Sequence, residues 1–119
     1  MPLLKIQSNQ AVEPARAEQL VSAASALVAG QLGKPERYVM VALEPPVPMS
    51  FGGSTDPLAY LELKSIGLPQ DKTPALSEAL CGLIQEQLGI DPERVYIEFA
   101  DAPAPCGAGT VAPFKLSRA

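Results

Sequence analysis

Apolar positions recur along this chain in two rhythms, a short strand-like one and a longer helical one, and the two alternate in a fixed order. Leu3 to Gln7 is an apolar-rich run closed by Ser8-Asn9, which predicts a strand. Glu13-Pro14 then opens a helix, with proline in the first turn, where its missing N–H leaves no bond unmade. Leu20, Val21, Ala24, Leu27, Val28 and Leu32 follow at helical spacing and define one buried face. Gly33 closes the helix in the position that favours a left-handed residue. Tyr38 to Leu43 is a continuous apolar run, the pattern of a strand covered on both faces, as in a parallel sheet. Pro45-Pro46-Val47-Pro48 and the glycine-containing stretch after it read as a loop. Leu58 to Lys64 predicts a third strand, with Ala59, Leu61 and Leu63 on one face. Thr73 is placed to cap a second helix, with Pro74 at its first position. Leu76, Leu80, Leu83, Ile84 and Leu88 mark its buried face, and Gly89 ends it. In a fourth strand Val95, Ile97 and Phe99 alternate with Tyr96 and Glu98. The tail from Ala102 to Ala119, broken by prolines and glycines, predicts one short strand or hairpin around Val111–Leu116.

An internal repeat ties these elements together. Gln31-Leu32-Gly33-Lys34-Pro35-Glu36-Arg37-Tyr38-Val39 is echoed by Gln87-Leu88-Gly89-Ile90-Asp91-Pro92-Glu93-Arg94-Val95, each copy where a helix hands over to a strand. The expected fold is α+β, a two-layer α/β sandwich built from duplicated βαβ units, with pseudo-repeats about 1–57 and 58–119 in one domain of residues 1–119. Its sheet is four-stranded and mixed, with both helices on one face. The other sheet face is left bare. In a chain 47% apolar and only 18% charged, that face predicts an oligomer.

Composition narrows the partners. A net charge of −4 argues against nucleic acid or an anionic membrane. No apolar run reaches the 18 residues of a membrane span, and no basic segment leads into an apolar one at the start, so no secretory leader is expected. Cys81 and Cys106 form no CxxC, and a reduced, cytoplasmic protein is the expectation. Cys81 lies on an apolar helix stretch and reads as core. Glu13, Glu18, Glu36 and Glu44 read as solvated surface charges, and Gly52-Gly53 as a turn, since no Lys-Ser/Thr follows to make a phosphate loop.

The candidate chemistry sits at the start of the chain. Pro2 follows the initiator methionine, which is normally trimmed before a small residue or proline. The processed chain would begin with a secondary amine. A free α-amino group has a pKa of about 7.7–8.0, and burial lowers it towards the range where a general base works best. The chain has no histidine, the usual base at neutral pH. While Met1 is retained, the Pro2 nitrogen is a tertiary amide without basicity. Taken alone, Pro2 fits an ordinary strand start better, Lys34 a helix-dipole partner, and Tyr96 an ordinary strand aromatic.

Six short stretches, in order along nearly the whole chain, decide between those readings. They are Met1-Pro2, Gly33-Lys34-Pro35, Met49-Ser50-Phe51-Gly52-Gly53-Ser54, Ser65-Ile66-Gly67, Leu80-Cys81-Gly82-Leu83 and Val95-Tyr96-Ile97. In these the sequence resembles the macrophage migration inhibitory factor family of the tautomerase superfamily. The resemblance implies a homotrimer of double βαβ subunits around a central channel. It implies keto–enol tautomerase activity, without metal or organic cofactor, on small aromatic keto acids such as phenylpyruvate and 4-hydroxyphenylpyruvate, and on dopachrome-like compounds. It further implies a site between subunits, with Pro2 as base, Lys34 and Ile66 beside it, and Tyr96 from the adjacent subunit. Tyr38 and Phe114 match pocket-lining positions. Lys34 would meet the substrate carboxylate and the enolate charge, and the Ile66 N–H would donate to the same carboxylate.

The chain also departs from the family. Animal members with thiol–disulfide activity carry a CxxC where this chain has Leu58 and Leu61, so no oxidoreductase activity is expected. Glu98 stands where the vertebrate proteins have asparagine, and a carboxylate facing the pocket would repel an anionic substrate. Near Ala108 there is no tryptophan, Cys106 falls near an apolar rim position, and Lys115–Ala119 runs past the usual end. Two other functions stay open: a binding or signalling protein with vestigial activity, and a different N-terminal-proline reaction on small unsaturated acids. The latter often uses an arginine, for which Arg37 and Arg94 are available.

Overall fold

The computed structural model of the chain describes residues 2–102 and 115–118, with side chains through Asp101. Its elements in order are β1 (Leu3–Ser8), α1 (Pro14–Leu32), β2 (Met40–Leu43), β3 (Ala59–Ile66), α2 (Thr73–Leu88), β4 (Val95–Ala102) and β5 (Lys115–Arg118). They form one mixed sheet in the order β2-β1-β3-β4-β5. β1 pairs parallel with β2, and β3 parallel with β4, as the two βαβ units require. The units join through the antiparallel β1–β3 pair, and β5 adds an antiparallel edge. The predicted tail strand thus exists, starting at Lys115; the Val111–Phe114 part of that expectation lies outside the described residues.

The repeat has a local cause. Gly33 and Gly89 end the two helices with φ of 64° and 68°, a left-handed conformation that a side chain disfavours. Each is followed by a short 3₁₀ turn, Glu36–Tyr38 and Pro92–Arg94, which feeds the next strand. β3 alternates strictly: Ala59, Leu61, Leu63 and Ser65 are buried under the helices, while Tyr60, Glu62, Lys64 and Ile66 face the other way. With Leu4, Ile6, Val95, Ile97 and Phe99 they meet Leu20, Ala24 and Val28 of α1 and Leu76, Leu80 and Ile84 of α2 in one core. Each fully buried side chain of this size contributes roughly 1.5–3 kcal/mol of transfer free energy.

Four expectations need correction. Tyr38 lies in a 3₁₀ turn, and the strand starts at Met40. That strand is not covered on both faces. β2 is the sheet edge, and Met40 is 58% exposed. Thr73 is already helical and caps nothing ahead of it; its hydroxyl donates to the Gln70 carbonyl, closing a 3₁₀ turn that runs straight into α2. The sheet face opposite the helices is not an apolar patch either. Lys5, Gln7, Tyr60, Glu62, Lys64 and Glu98 lie on it among Leu3, Ile66 and Tyr96, because these strands alternate apolar-in with polar-out.

Candidate active site

The N-terminal end of β1 and the C-terminal end of β3 lie side by side. Leu3 pairs with Lys64, so continuing that register by one residue sets Pro2 opposite Ser65. Pro2 is buried, and its carbonyl accepts from the Met40 N–H at 2.9 Å. Lys34 arrives from the other side. The N–H groups of Gly33 and Lys34 both turn back to the Ala29 carbonyl, so the left-handed glycine throws the chain out of α1. The half-buried Lys34 Nζ then donates to the Ile66 carbonyl at 3.2 Å. That bond ties it to the strand end rather than to the helix. An ammonium has three donors, so two remain for an incoming anion.

A carboxylate fixes the turn beyond. Asp101 accepts from the N–H groups of Gly67 (2.9 Å) and Leu68 (3.2 Å), where Gly67 has φ 68°. Ser65 and Asp101 are register partners on β3 and β4. Asp101 thus positions Ile66, and through it Lys34. Sequence reading passes it over, because its role depends on strand pairing over a separation of more than thirty residues.

The opposite end of the sheet carries the aromatic residues. Tyr96 packs edge-on against Phe51, centroids 6.0 Å apart, and lies 6.5 Å from Tyr60, its register partner. Gly52 and Gly53, with φ of 62° and 78°, form the tight turn expected of them, closed by paired hydrogen bonds between Phe51 and Ser54. Arg94 clamps this loop. Its guanidinium donates to the carbonyls of Phe51, Ser54, Asp56 and Pro57 and sits 5.5 Å from the Phe51 ring centre. A hollow of about 340 Å³ opens among Met49, Phe51, Leu58, Tyr60 and Tyr96. The Tyr60 hydroxyl reaches Glu98 at 3.0 Å and Glu62 at 3.2 Å, and Lys64 pairs with Glu62 at 3.4 Å. Burial and these two carboxylates push the Tyr60 phenol well above its ordinary value.

The two ends are far apart. Tyr60 and Ile66 are separated by six residues of β3, about 20 Å at roughly 3.3 Å per residue. One chain therefore brings together Pro2, Lys34 and Ile66, and holds Tyr96 and Glu98 away from them. Tyr38 is 45% exposed, with the Arg37 guanidinium 4.7 Å from its ring centre. Cys106 and Phe114 lie outside the described residues. Cys81 is buried in the core, as its apolar helix stretch suggests, and burial pushes its thiol up despite a hydrogen bond with Ser77. Among the described residues no His/Cys/Asp/Glu group is arranged to hold a metal, and no helix is long and apolar enough to cross a membrane.

Comparison with known proteins supplies the family. A sequence model described as macrophage migration inhibitory factor matches residues 1–111. The chain belongs to the macrophage migration inhibitory factor family. The macrophage migration inhibitory factor of Meriones unguiculatus is 36% identical over 107 residues, covering 87% of this chain and 90% of that protein. The crystal structure of a homologue from Prochlorococcus marinus superposes with a TM-score of 0.82 at 42% identity, over 92% of this chain and 97% of that one. The family member of Toxoplasma gondii gives 0.83 at 30% identity, over 92% and 99%. The fold is that of the tautomerase superfamily, and it extends over both halves of the repeat. In this member of the macrophage migration inhibitory factor family, Glu98 is not a loose carboxylate on the strand. A tyrosine from the neighbouring strand holds it.

Proposed function

We propose that this protein is a cofactor-independent keto–enol tautomerase of aryl pyruvates and dopachrome-like compounds. The amine of Pro2, freed by removal of Met1, is its general base. The observation that carries this reading is a buried Pro2 beside the end of β3, where the Lys34 ammonium bonds the Ile66 carbonyl. Burial and a nearby ammonium both disfavour the protonated amine, so Pro2 is available to take the proton next to the keto group. It returns that proton to the other end of the enol system. Lys34 binds the substrate carboxylate and offsets charge growing on the enolate oxygen. The aromatic wall comes from Tyr96 of a neighbouring copy, since the same chain holds its own Tyr96 at the far end of β3. A homotrimer closes such a site three times over. A reaction needing an arginine is less well supported: Arg94 is engaged by the 51–57 loop, and Arg37 by Tyr38.

The test is an ultraviolet assay of 4-hydroxyphenylpyruvate tautomerisation on protein whose intact mass shows Met1 removed. Turnover is expected, and Pro2→Gly should abolish it while light scattering still shows a trimer. Activity surviving in Pro2→Gly rules out the amine mechanism.

A further inference from the structure

We propose that Tyr60 is a positioning residue that fastens the Glu98 carboxylate to the sheet and keeps its charge from the substrate carboxylate. The inference rests on the assignment of Tyr96 and Glu98 to the pocket.

The arrangement follows from strand register. Tyr60 faces Tyr96, and Glu62 faces Glu98, as successive same-side pairs of β3 and β4. Two like charges side by side on neighbouring strands destabilise a sheet unless something separates them. Here each carboxylate has its own relief. Glu62 pairs with Lys64 at 3.4 Å, and Lys5 is its register partner on β1. Among the described side chains no cation pairs with Glu98, and its register partner on the outer side, in β5, is Leu116. Among the described residues its hydrogen-bond donor is the Tyr60 hydroxyl, at 3.0 Å.

A phenol has one proton to donate. With Lys64 already on Glu62, donating that proton to Glu98 is the better electrostatic arrangement. The Tyr60 ring also lies beside Tyr96, 6.5 Å between centroids. One side chain therefore supports the aromatic wall and holds the neighbouring charge. Asparagine at position 98 would have no charge to hold, so Tyr60 answers a problem that Glu98 creates. Without the hydroxyl, the Glu98 carboxylate is free to leave its strand-bound rotamer and repel an anionic ligand.

Binding of unreactive phenylacetate and of its uncharged methyl ester separates charge from shape without needing turnover. Tyr60→Phe keeps the ring and removes the hydroxyl. It should weaken phenylacetate binding roughly three- to tenfold, the effect of one partly screened like charge, and leave the ester unchanged. Tyr60→Phe/Glu98→Gln should restore phenylacetate binding. Glu98→Gln alone should gain less for phenylacetate than Tyr60→Phe loses, because the charge it removes is already held away. Equal losses for acid and ester in Tyr60→Phe, or no rescue by the second change, would mean that Tyr60 only supports packing. A large gain in Glu98→Gln alone would mean that the carboxylate acts on the ligand despite Tyr60. Either result overturns the proposal. Wild-type protein that tautomerises phenylpyruvate but shows one of these patterns refutes the Tyr60 role alone. Wild-type protein that neither turns over phenylpyruvate nor binds phenylacetate refutes the substrate reading and this inference together.

Discussion

Lys34 shows how a common residue acquires a specific task. Its charge and its place just after a helix suit an ordinary dipole partner, yet its ammonium crosses to the Ile66 carbonyl. In the proposed mechanism it meets a carboxylate both before and during proton transfer. Lys34→Ala should therefore raise KM for phenylpyruvate roughly 10- to 100-fold, the loss of one charged hydrogen bond, with a smaller fall in kcat, measured by steady-state kinetics. Tyr60 and Cys81 carry a different prediction. Both hold their protons more tightly when folded than their ordinary values of 10.0 and 9.0 allow. Above those values the unfolded chain gives up protons that the folded chain keeps, so stability falls as pH rises. The urea midpoint should drop as pH rises through about 9 and further above about 10. Tyr60→Phe should flatten the upper part of that drop. At this scale Pro2, Lys34 and Tyr96 are legible as candidates because they sit in short family-like stretches. The tie between Tyr60 and Glu98 is not legible. It is made across two strands whose register no local pattern encodes.

Among the elements, the turn after β3 matters most for the site. It depends on Gly67 at positive φ and on the Asp101 carboxylate reaching back from β4. Asp101→Ala leaves two N–H groups without their acceptor and should lower stability by about 1 kcal/mol. It should also raise KM, because the Ile66 carbonyl that steadies Lys34 loses its support; urea titration and kinetics on the same preparation check both. The repeat makes the core elements readable: helix faces, both glycine stops and the alternation of β3 and β4 follow from spacing alone. The errors fall at element ends and sheet edges. Thr73 and Tyr38 sit where a 3₁₀ turn merges into the next element, which periodicity does not resolve. β2 has the apolar run of a covered strand but takes an edge position. Apolar content alone does not tell an edge strand from an interior one.

For the whole molecule, the decisive quantity is the length of β3. Roughly 20 Å of strand separates the Pro2 end from the Tyr96 end. The proposed site therefore exists only where one copy's strand start meets another copy's strand end. Specific activity should be constant at high concentration and fall on dilution below the point where light scattering shows the proposed trimer dissociating. Activity per chain that does not change as the assembly dissociates would show that one chain is enough. The bare apolar face is the wrong argument for that assembly, since the face is mixed and Tyr60, Glu62, Lys64 and Glu98 pair with one another on it. The separation of site residues is the better one, and it becomes visible only once the strand order is known.

The burial of Pro2 on an inner strand of the sheet has a consequence for how the protein is made. An aminopeptidase must reach the bond before Pro2, and a buried Pro2 bonded to Met40 restricts that approach. Trimming is therefore expected while the nascent chain is emerging. Each molecule would take its fate at the ribosome: trimmed chains would carry the proposed base, and chains that fold first would be copies of the same shape without it. A tag fused ahead of Pro2 would place an entire preparation in the second group, whereas a tag after Ala119 would not.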